Sequence, residues 1–209
     1  MKILSHRGYW LNSEEKNTRE SFERSFSYGF GTETDIRDYL GELVISHDIA
    51  DHASMLAKHM LDIHQKQNST LALALNIKSD GLQLPLLQLI EEYQLTNYFL
   101  FDMSIPDALA SLRYGLKCFT RQSEYEQDPA FYDLASGVWI DGFHDEWWNE
   151  TIIQRHLDAG KQVCIVSPEL HKRPHKTYWE LLNTWQCLDN PSLMICTDFP
   201  EEARELFIK

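Results

Sequence analysis

Short runs of apolar residues recur along the chain, separated for the most part by stretches with helical spacing. The runs are Lys2–Ser5, the segment Gly31–Ile36, Leu71–Ile77, Tyr98–Phe101, Leu116–Phe119, Gly137–Ile140, Gln162–Val166 and Ser192–Cys196. Most are apolar on nearly every residue, the pattern of parallel strands covered on both faces. Between them, apolar positions three to four apart predict helices. These cover Arg19–Tyr28, Ala53–Gln67, Leu84–Tyr93, Pro106–Tyr114, Glu150–Asp158, Tyr178–Gln186 and Pro200–Ile208. Gly29 and Gly160 read as stops, and Pro106 and Pro200 sit where a first helical turn tolerates proline. Eight strands alternating with helices predict a compact (β/α)8 barrel, with an open doubly wound sheet as the alternative. The weak segment is Gln122–Ser136, where the helix expected after the fifth strand is poorly patterned. With no linker, repeat or low-complexity tract, residues 1–209 read as one domain.

The second strand differs from the rest. Glu33 and Asp35 lie two apart, so they point to the same face. Two carboxylates aimed at one spot repel unless a cation lies between them, and oxygen donors suit a hard ion such as Mg²⁺ or Ca²⁺. Asp38–Glu42 reads as a turn, with Gly41 supplying the permissive backbone, so a small β-hairpin follows the second strand and returns His47 toward the carboxylates. Almost every apolar run also ends in polar residues able to do chemistry. In order these are His6 and Arg7, Glu33 and Asp35, Asn76 and Lys78, Asp102, Arg121, Asp141, Glu169 and Asp198. In a barrel such strand ends converge on one mouth, where active sites of this fold lie.

Composition narrows the partners. The net charge of −13 argues against nucleic acid or an anionic membrane surface. An anionic substrate would therefore need a local cationic site. The cysteines Cys118, Cys164, Cys187 and Cys196 form no Cys-x-x-Cys pair and read mainly as reduced core residues. No apolar run approaches the roughly 20 residues of a membrane span, and no signal-peptide pattern opens the sequence, so the cytoplasm is the expected compartment. Nothing in the sequence specifies an oligomeric state.

The ordered set His6-Arg7-Gly8, Asn17-Thr18, Phe22, Gly29, Glu33-x-Asp35, Gly41-x-Leu43-Val44, His47-Asp48 and Lys78 resembles the glycerophosphodiester phosphodiesterase family, and Thr197-Asp198-Phe199-Pro200 agrees with its strand pattern. The resemblance implies a (β/α)8 barrel that hydrolyses a small-molecule glycerophosphodiester, usually with a divalent cation. It implies Glu33 and Asp35 as metal ligands, His6 and His47 as an acid–base pair, and Arg7 and Lys78 as phosphate contacts. Two positions depart from the family. Lys16 stands where a Glu often precedes the Asn-Thr pair, and Asn76 stands at the usual third metal-binding carboxylate.

The chemistry follows from the residue types. A phosphodiester resists nucleophiles because its oxygens are anionic, and a cation with Arg7 and Lys78 would neutralise charge developing in the transition state. One imidazole can deprotonate the attacking hydroxyl while the other protonates the leaving alkoxide. Arg121 is expected either to contact substrate or to pair with a carboxylate. The basic run His171–Lys176 after the seventh strand is either a solvated loop or a contact for anionic head groups. Two other functions remain open: a metal-free phosphotransferase resembling phosphatidylinositol-specific phospholipase C, and a barrel that binds a phosphorylated ligand without turnover.

Overall fold

The computed structural model describes residues 1–208. Within them the strands are β1 (Lys2–His6), β2 (Gly31–Tyr39), β3 (Glu42–Ile45), β4 (Met55–Leu56), β5 (Leu73–Ile77), β6 (Tyr98–Phe101), β7 (Phe119–Gln122), β8 (Gly137–Ile140), β9 (Gln162–Val166) and β10 (Leu193–Thr197). The helices are α1 (Arg19–Ser27), α2 (Ala57–Asn68), α3 (Gln83–Glu92), α4 (Ile105–Arg113), α5 (Glu150–Asp158), α6 (Lys176–Leu182) and α7 (Pro200–Phe207). Parallel pairing runs β6–β5–β2–β1–β10–β9–β8–β7. The remaining seam, between β6 and β7, is closed by the parallel bridge Leu100–Cys118, where Leu100 N–H donates to Lys117 O at 2.8 Å. The eight parallel strands therefore form a barrel. β3 and β4 are antiparallel additions to the extended end of β2.

The interior is filled by one row of side chains from each strand, because alternate residues face inward. Small residues line one side: Ala72 and Ala74 before and on β5, and Gly31 on β2. A side chain at Gly31 would run into Leu4 and the Ala72 carbonyl. Aromatic rings fill the other side, with Phe99 stacked on Phe119 at 3.7 Å and Phe101 on Trp139 at 3.9 Å between centroids. Truncating one such buried ring to Ala costs roughly 3–5 kcal/mol. Outside the barrel, α1, α2 and α3 pack over β2 and β5 around Phe22, Met60 and Leu86. α5, α6 and α7 pack over β8, β9 and β10 around Ile153, Trp179 and Phe207.

The poorly patterned helix expected over Gln122–Ser136 is not formed: no α-helix lies between β7 and β8. A polar relay holds that segment instead. His156 Nε2–H donates to Gln122 Oε1 at 2.8 Å, and Tyr132 O–H donates to His156 Nδ1 at 2.9 Å. Burial pushes the His156 imidazole down to about 4, which keeps it neutral, as one donor and one acceptor require.

Of the boundaries that differ from the sequence expectation, three have a plain local reason. α2 starts at Ala57 rather than Ala53, because Met55 and Leu56 pair with Ile45 and Val44 as β4. The fifth barrel strand lies over Phe119–Gln122 rather than Leu116–Phe119, because Leu116 and Cys118 pack outward beneath the helices while Phe119 turns into the barrel. α6 ends at Leu182, and the expected last turn is replaced by a separate 3-10 turn at Gln186–Asp189. All four cysteines are free and buried. Among the described residues no helix is long and apolar enough to cross a membrane.

Candidate active site

On six of the eight barrel strands the inward row continues past the apolar interior into polar residues at the C-terminal end. Leu4 leads to His6, Ala74 to Asn76, Phe119 to Arg121, Trp139 to Asp141 and Cys196 to Asp198. On β2 the row runs from Gly31 to Glu33 and Asp35. Register sets neighbours: His6 is opposite Glu33, and Asp35 is opposite Asn76. Strand alternation thus gathers the polar residues of distant segments in the barrel mouth.

His6 is anchored at one nitrogen. Its Nδ1 lies 2.7 Å from Asp198 Oδ1 and donates to it, since the carboxylate can only accept. That leaves Nε2 as the basic nitrogen, 3.9 Å from Glu33 Oε2. Burial pushes the His6 pKa down, against the opposing pull of Asp198. Burial works to raise the Asp198 carboxyl, but its hydrogen bond and charge contact with His6, helped by Lys16, hold it below the ordinary range. Lys16 Nζ lies 3.6 Å from Asp198 Oδ2 and 4.4 Å from the Trp10 ring centre, and Trp10 Nε1 donates to the His6 carbonyl. Glu169 fixes the end of β10 by accepting from Asp198 N–H at 3.1 Å and from the Thr197 hydroxyl. It therefore serves as a clamp rather than as part of the reaction centre.

Arg7 follows His6 in a left-handed conformation with φ of 60°. The turn continues through Gly8, where φ is 83° and a Cβ would run into Ser21. This turn brings Arg7 Nε to 3.0 Å from Asp35 Oδ2, while Lys78 Nζ lies 3.2 Å from Asp35 Oδ1. Neither contact has hydrogen-bond alignment. Asn17 Nδ2 supplies an aligned hydrogen bond to Asp35 Oδ2 at 2.8 Å, and Asn17 Oδ1 accepts from Thr34. The motif pair Asn17-Thr18 marks Asn17 in the sequence but assigns it no partner; its contact with Asp35 exists only in the fold.

Glu33 is 2% exposed, and its clearest polar partner is the Arg7 backbone N–H at 3.2 Å. Burial, and then the charge of Asp35, push its carboxyl well above the usual range. Asn76 is also buried. Its Nδ2 donates to Asp102 Oδ2 at 3.2 Å, and its Oδ1 has no hydrogen-bond partner.

His47 is reached through β3. Ser46 N–H donates to the Asp35 carbonyl at 3.1 Å, which ties the post-hairpin loop to β2. The imidazole is about half exposed, with Nδ1 2.9 Å from Asp48 Oδ1. It lines an open cleft of about 400 Å³ together with Arg7, Lys16 and Asn17.

The opposite wall is a chain of ion pairs. Arg121 Nη1 donates to Asp102 Oδ1 at 2.9 Å, and its Nε donates to Glu126. Burial pushes the Asp102 carboxyl up, with Arg121 opposing. His171 Nε2 lies 2.6 Å from Asp141 Oδ1. Arg173 is held by Glu146 and by the Gly142 carbonyl at 2.6 Å. Of the basic run 171–176, Arg173 is thus a structural tie across two loops rather than a free cation.

Glu33, Asp35 and Asn76 form an all-oxygen donor set, the chemistry a hard divalent cation takes. The unpartnered Asn76 Oδ1 and the uncompensated burial of Glu33 fit such an ion. Among the described residues no three side chains of the His, Cys, Asp and Glu types group as a metal set.

No family model matches this chain, and no curated protein sequence does. Solved structures do. A glycerophosphodiester phosphodiesterase from Agrobacterium tumefaciens superposes with a TM-score of 0.70 at 13% identity, over 98% of this chain and 99% of that one. One from Parabacteroides distasonis gives 0.71 at 14% identity, over 98% and 85%. An Oleispira antarctica phosphodiesterase in complex with the product sn-glycerol-3-phosphate gives 0.69 at 13% identity, over 100% and 97%. The chain has the barrel fold of the glycerophosphodiester phosphodiesterases.

Proposed function

We propose that this protein hydrolyses a small glycerophosphodiester-like substrate to an alcohol and a phosphomonoester. The observation that carries the reading is the His6–Asp198 pair, whose geometry leaves His6 Nε2 basic beside Glu33, on the strand whose Asp35 meets Arg7 and Lys78. The fold likeness, and the phosphomonoester product held by the Oleispira protein, support the same substrate class.

In this reading Arg7 and Lys78 orient the diester and neutralise its phosphoryl oxygens. His6, kept neutral by burial, accepts the proton of the attacking hydroxyl at Nε2. Asp198 holds the imidazole in the required tautomer and stabilises the imidazolium that forms. The attacker's oxygen bonds to phosphorus, the bond from phosphorus to the alcohol oxygen breaks, and His47 delivers a proton to that oxygen. His47 suits this role because its half-exposed ring can be reprotonated from solvent. The attacker is water, or a neighbouring glycerol hydroxyl that first forms a cyclic diester.

Glu33, Asp35 and Asn76 would hold a divalent cation, Mg²⁺ or Ca²⁺, which supplies Lewis-acid neutralisation of the phosphoryl charge when bound. A second reading has one specific support. Asp35 is already balanced by Arg7 and Lys78, as a metal-free phosphotransferase would require. Incubation with a panel of glycerophosphodiesters, with and without chelator, tests both readings by following released phosphomonoester. Release abolished by chelator fits the first reading, and chelator-resistant release fits the second. No turnover of any diester overturns both and leaves a ligand-binding barrel.

A further inference from the structure

Asp102 follows the last residue of β6, in the wrong register for the mouth. Phe101 faces the barrel interior, so the next residue should point out toward the helices. Instead Asp102 adopts a left-handed backbone, with φ of 64°, and its side chain meets two inward-row residues. Asn76 Nδ2 donates to Oδ2 at 3.2 Å, and Arg121 Nη1 donates to Oδ1 at 2.9 Å. A strained residue whose side chain reaches into a reaction centre is a pointer to a role there.

The consequence lies in the amide of Asn76. An amide presents a donor at one end and an acceptor at the other, and only its neighbours decide which way it faces. A carboxylate accepts and cannot donate, so Asp102 selects the orientation with Nδ2 toward itself. The acceptor Oδ1 is left over, buried and without a partner. Ala74 faces the interior, so Asn76, two residues on along β5, lies on the barrel's inner face opposite Asp35.

We infer that Asp102, braced by Arg121, is a positioning residue that fixes the Asn76 amide so that its oxygen serves as the neutral third donor of the cation site. This rests on the cation-dependent reading given above. A carboxylate at position 76 would need no such partner, since both its oxygens accept. The amide at this position and the strained aspartate just past the neighbouring strand are thus two parts of one arrangement. Arg121 acts through Asp102 here rather than on substrate.

The test is a double-mutant cycle on the full chain, read by calorimetric titration with Mg²⁺ or Ca²⁺ alone. Asp102→Asn should weaken cation binding by about 10–100-fold, the usual effect of removing a ligand's hydrogen-bond partner. In an Asn76→Asp background the same change should have little effect, because the ligand no longer needs orienting. Equal loss in both backgrounds would make Asp102 itself a ligand and overturn the inference, as would no loss in either. A second readout needs no cation and no variant. In the chelated wild-type protein, the Asn76 side-chain NH₂ resonances, assigned through the backbone, should be displaced and protected from solvent exchange. Free-exchanging, undisplaced resonances would overturn the orientation. A wild-type protein that takes up no divalent cation would overturn the donor role and the cation reading, while the amide resonances still decide the orientation by themselves.

Discussion

His6 and Asp198 lie 192 positions apart in sequence, yet His6 Nδ1 is 2.7 Å from Asp198 Oδ1. The barrel closes between its first and last strands, with Ser5 paired to Thr197, and each strand then delivers its next inward residue to the same spot. The pair fixes the imidazole tautomer, and Lys16 holds the carboxylate from its other oxygen.

Asp198→Asn should lower kcat by roughly 10²–10⁴-fold with little change in fold, because the amide can select the wrong imidazole tautomer. The pH profile should move as well. Asp198 pulls the His6 pKa up against burial, so its loss should shift the acidic limb of the pH–rate curve to lower pH. An unshifted limb with full activity would separate Asp198 from the mechanism.

His47→Ala should also lower turnover by roughly 10²–10⁴-fold. Its ring is half exposed and only Asp48 holds it, so thermal stability and cation uptake should stay near wild type. A folded variant with full activity would leave the leaving-group proton to another residue, for which His171 is placed by its Asp141 contact.

Glu33→Gln should stabilise the chelated protein at neutral pH, by about 1–3 kcal/mol, the usual cost of a buried group without adequate partners. The folded pKa of Glu33 is raised by burial and by Asp35, so its favourable protonated state is complete below the ordinary glutamate range and is lost as pH rises through the raised value. The variant's advantage should therefore be small near pH 4 and grow toward pH 8. At about 2–4 °C in Tm per kcal/mol, thermal melts at the two pH values resolve it. A constant gap across that range would show that Glu33 ionises unhindered.

Arg173→Ala should act on stability rather than on substrate choice. It removes the contacts to Glu146 and the Gly142 carbonyl and should cost about 1–3 kcal/mol in denaturant melts. KM should change equally for diesters with neutral and anionic head groups. A selective rise for the anionic ones would return Arg173 to the substrate.

Local pattern carried much of the fold. Apolar runs on Ile3–Leu4, Val138–Ile140 and Val163–Val166 marked buried parallel strands, and the poor helical period over Gln122–Ser136 fell where the expected helix does not form. Those features depend on residues close in sequence, whose spacing is set by strand and helix geometry. The same geometry put Glu33 and Asp35 on one face and His47 beyond the hairpin.

Partnership was decided only by the closed barrel. Nothing local assigns Asp198 to His6, Asn17 to Asp35, or Asp102 to Asn76, because each pair joins strands or loops whose contact depends on register and closure. The left-handed turns at Arg7 and Asp102 reverse the side-chain alternation that a sequence reading must assume. The tertiary fold also pairs Arg121 with Asp102 and Glu126, and Arg173 with Glu146, carboxylates that no local pattern assigns to them. A sequence fixes which side chains a strand end offers. The carboxylate, amide or cation across the barrel mouth fixes how each one faces.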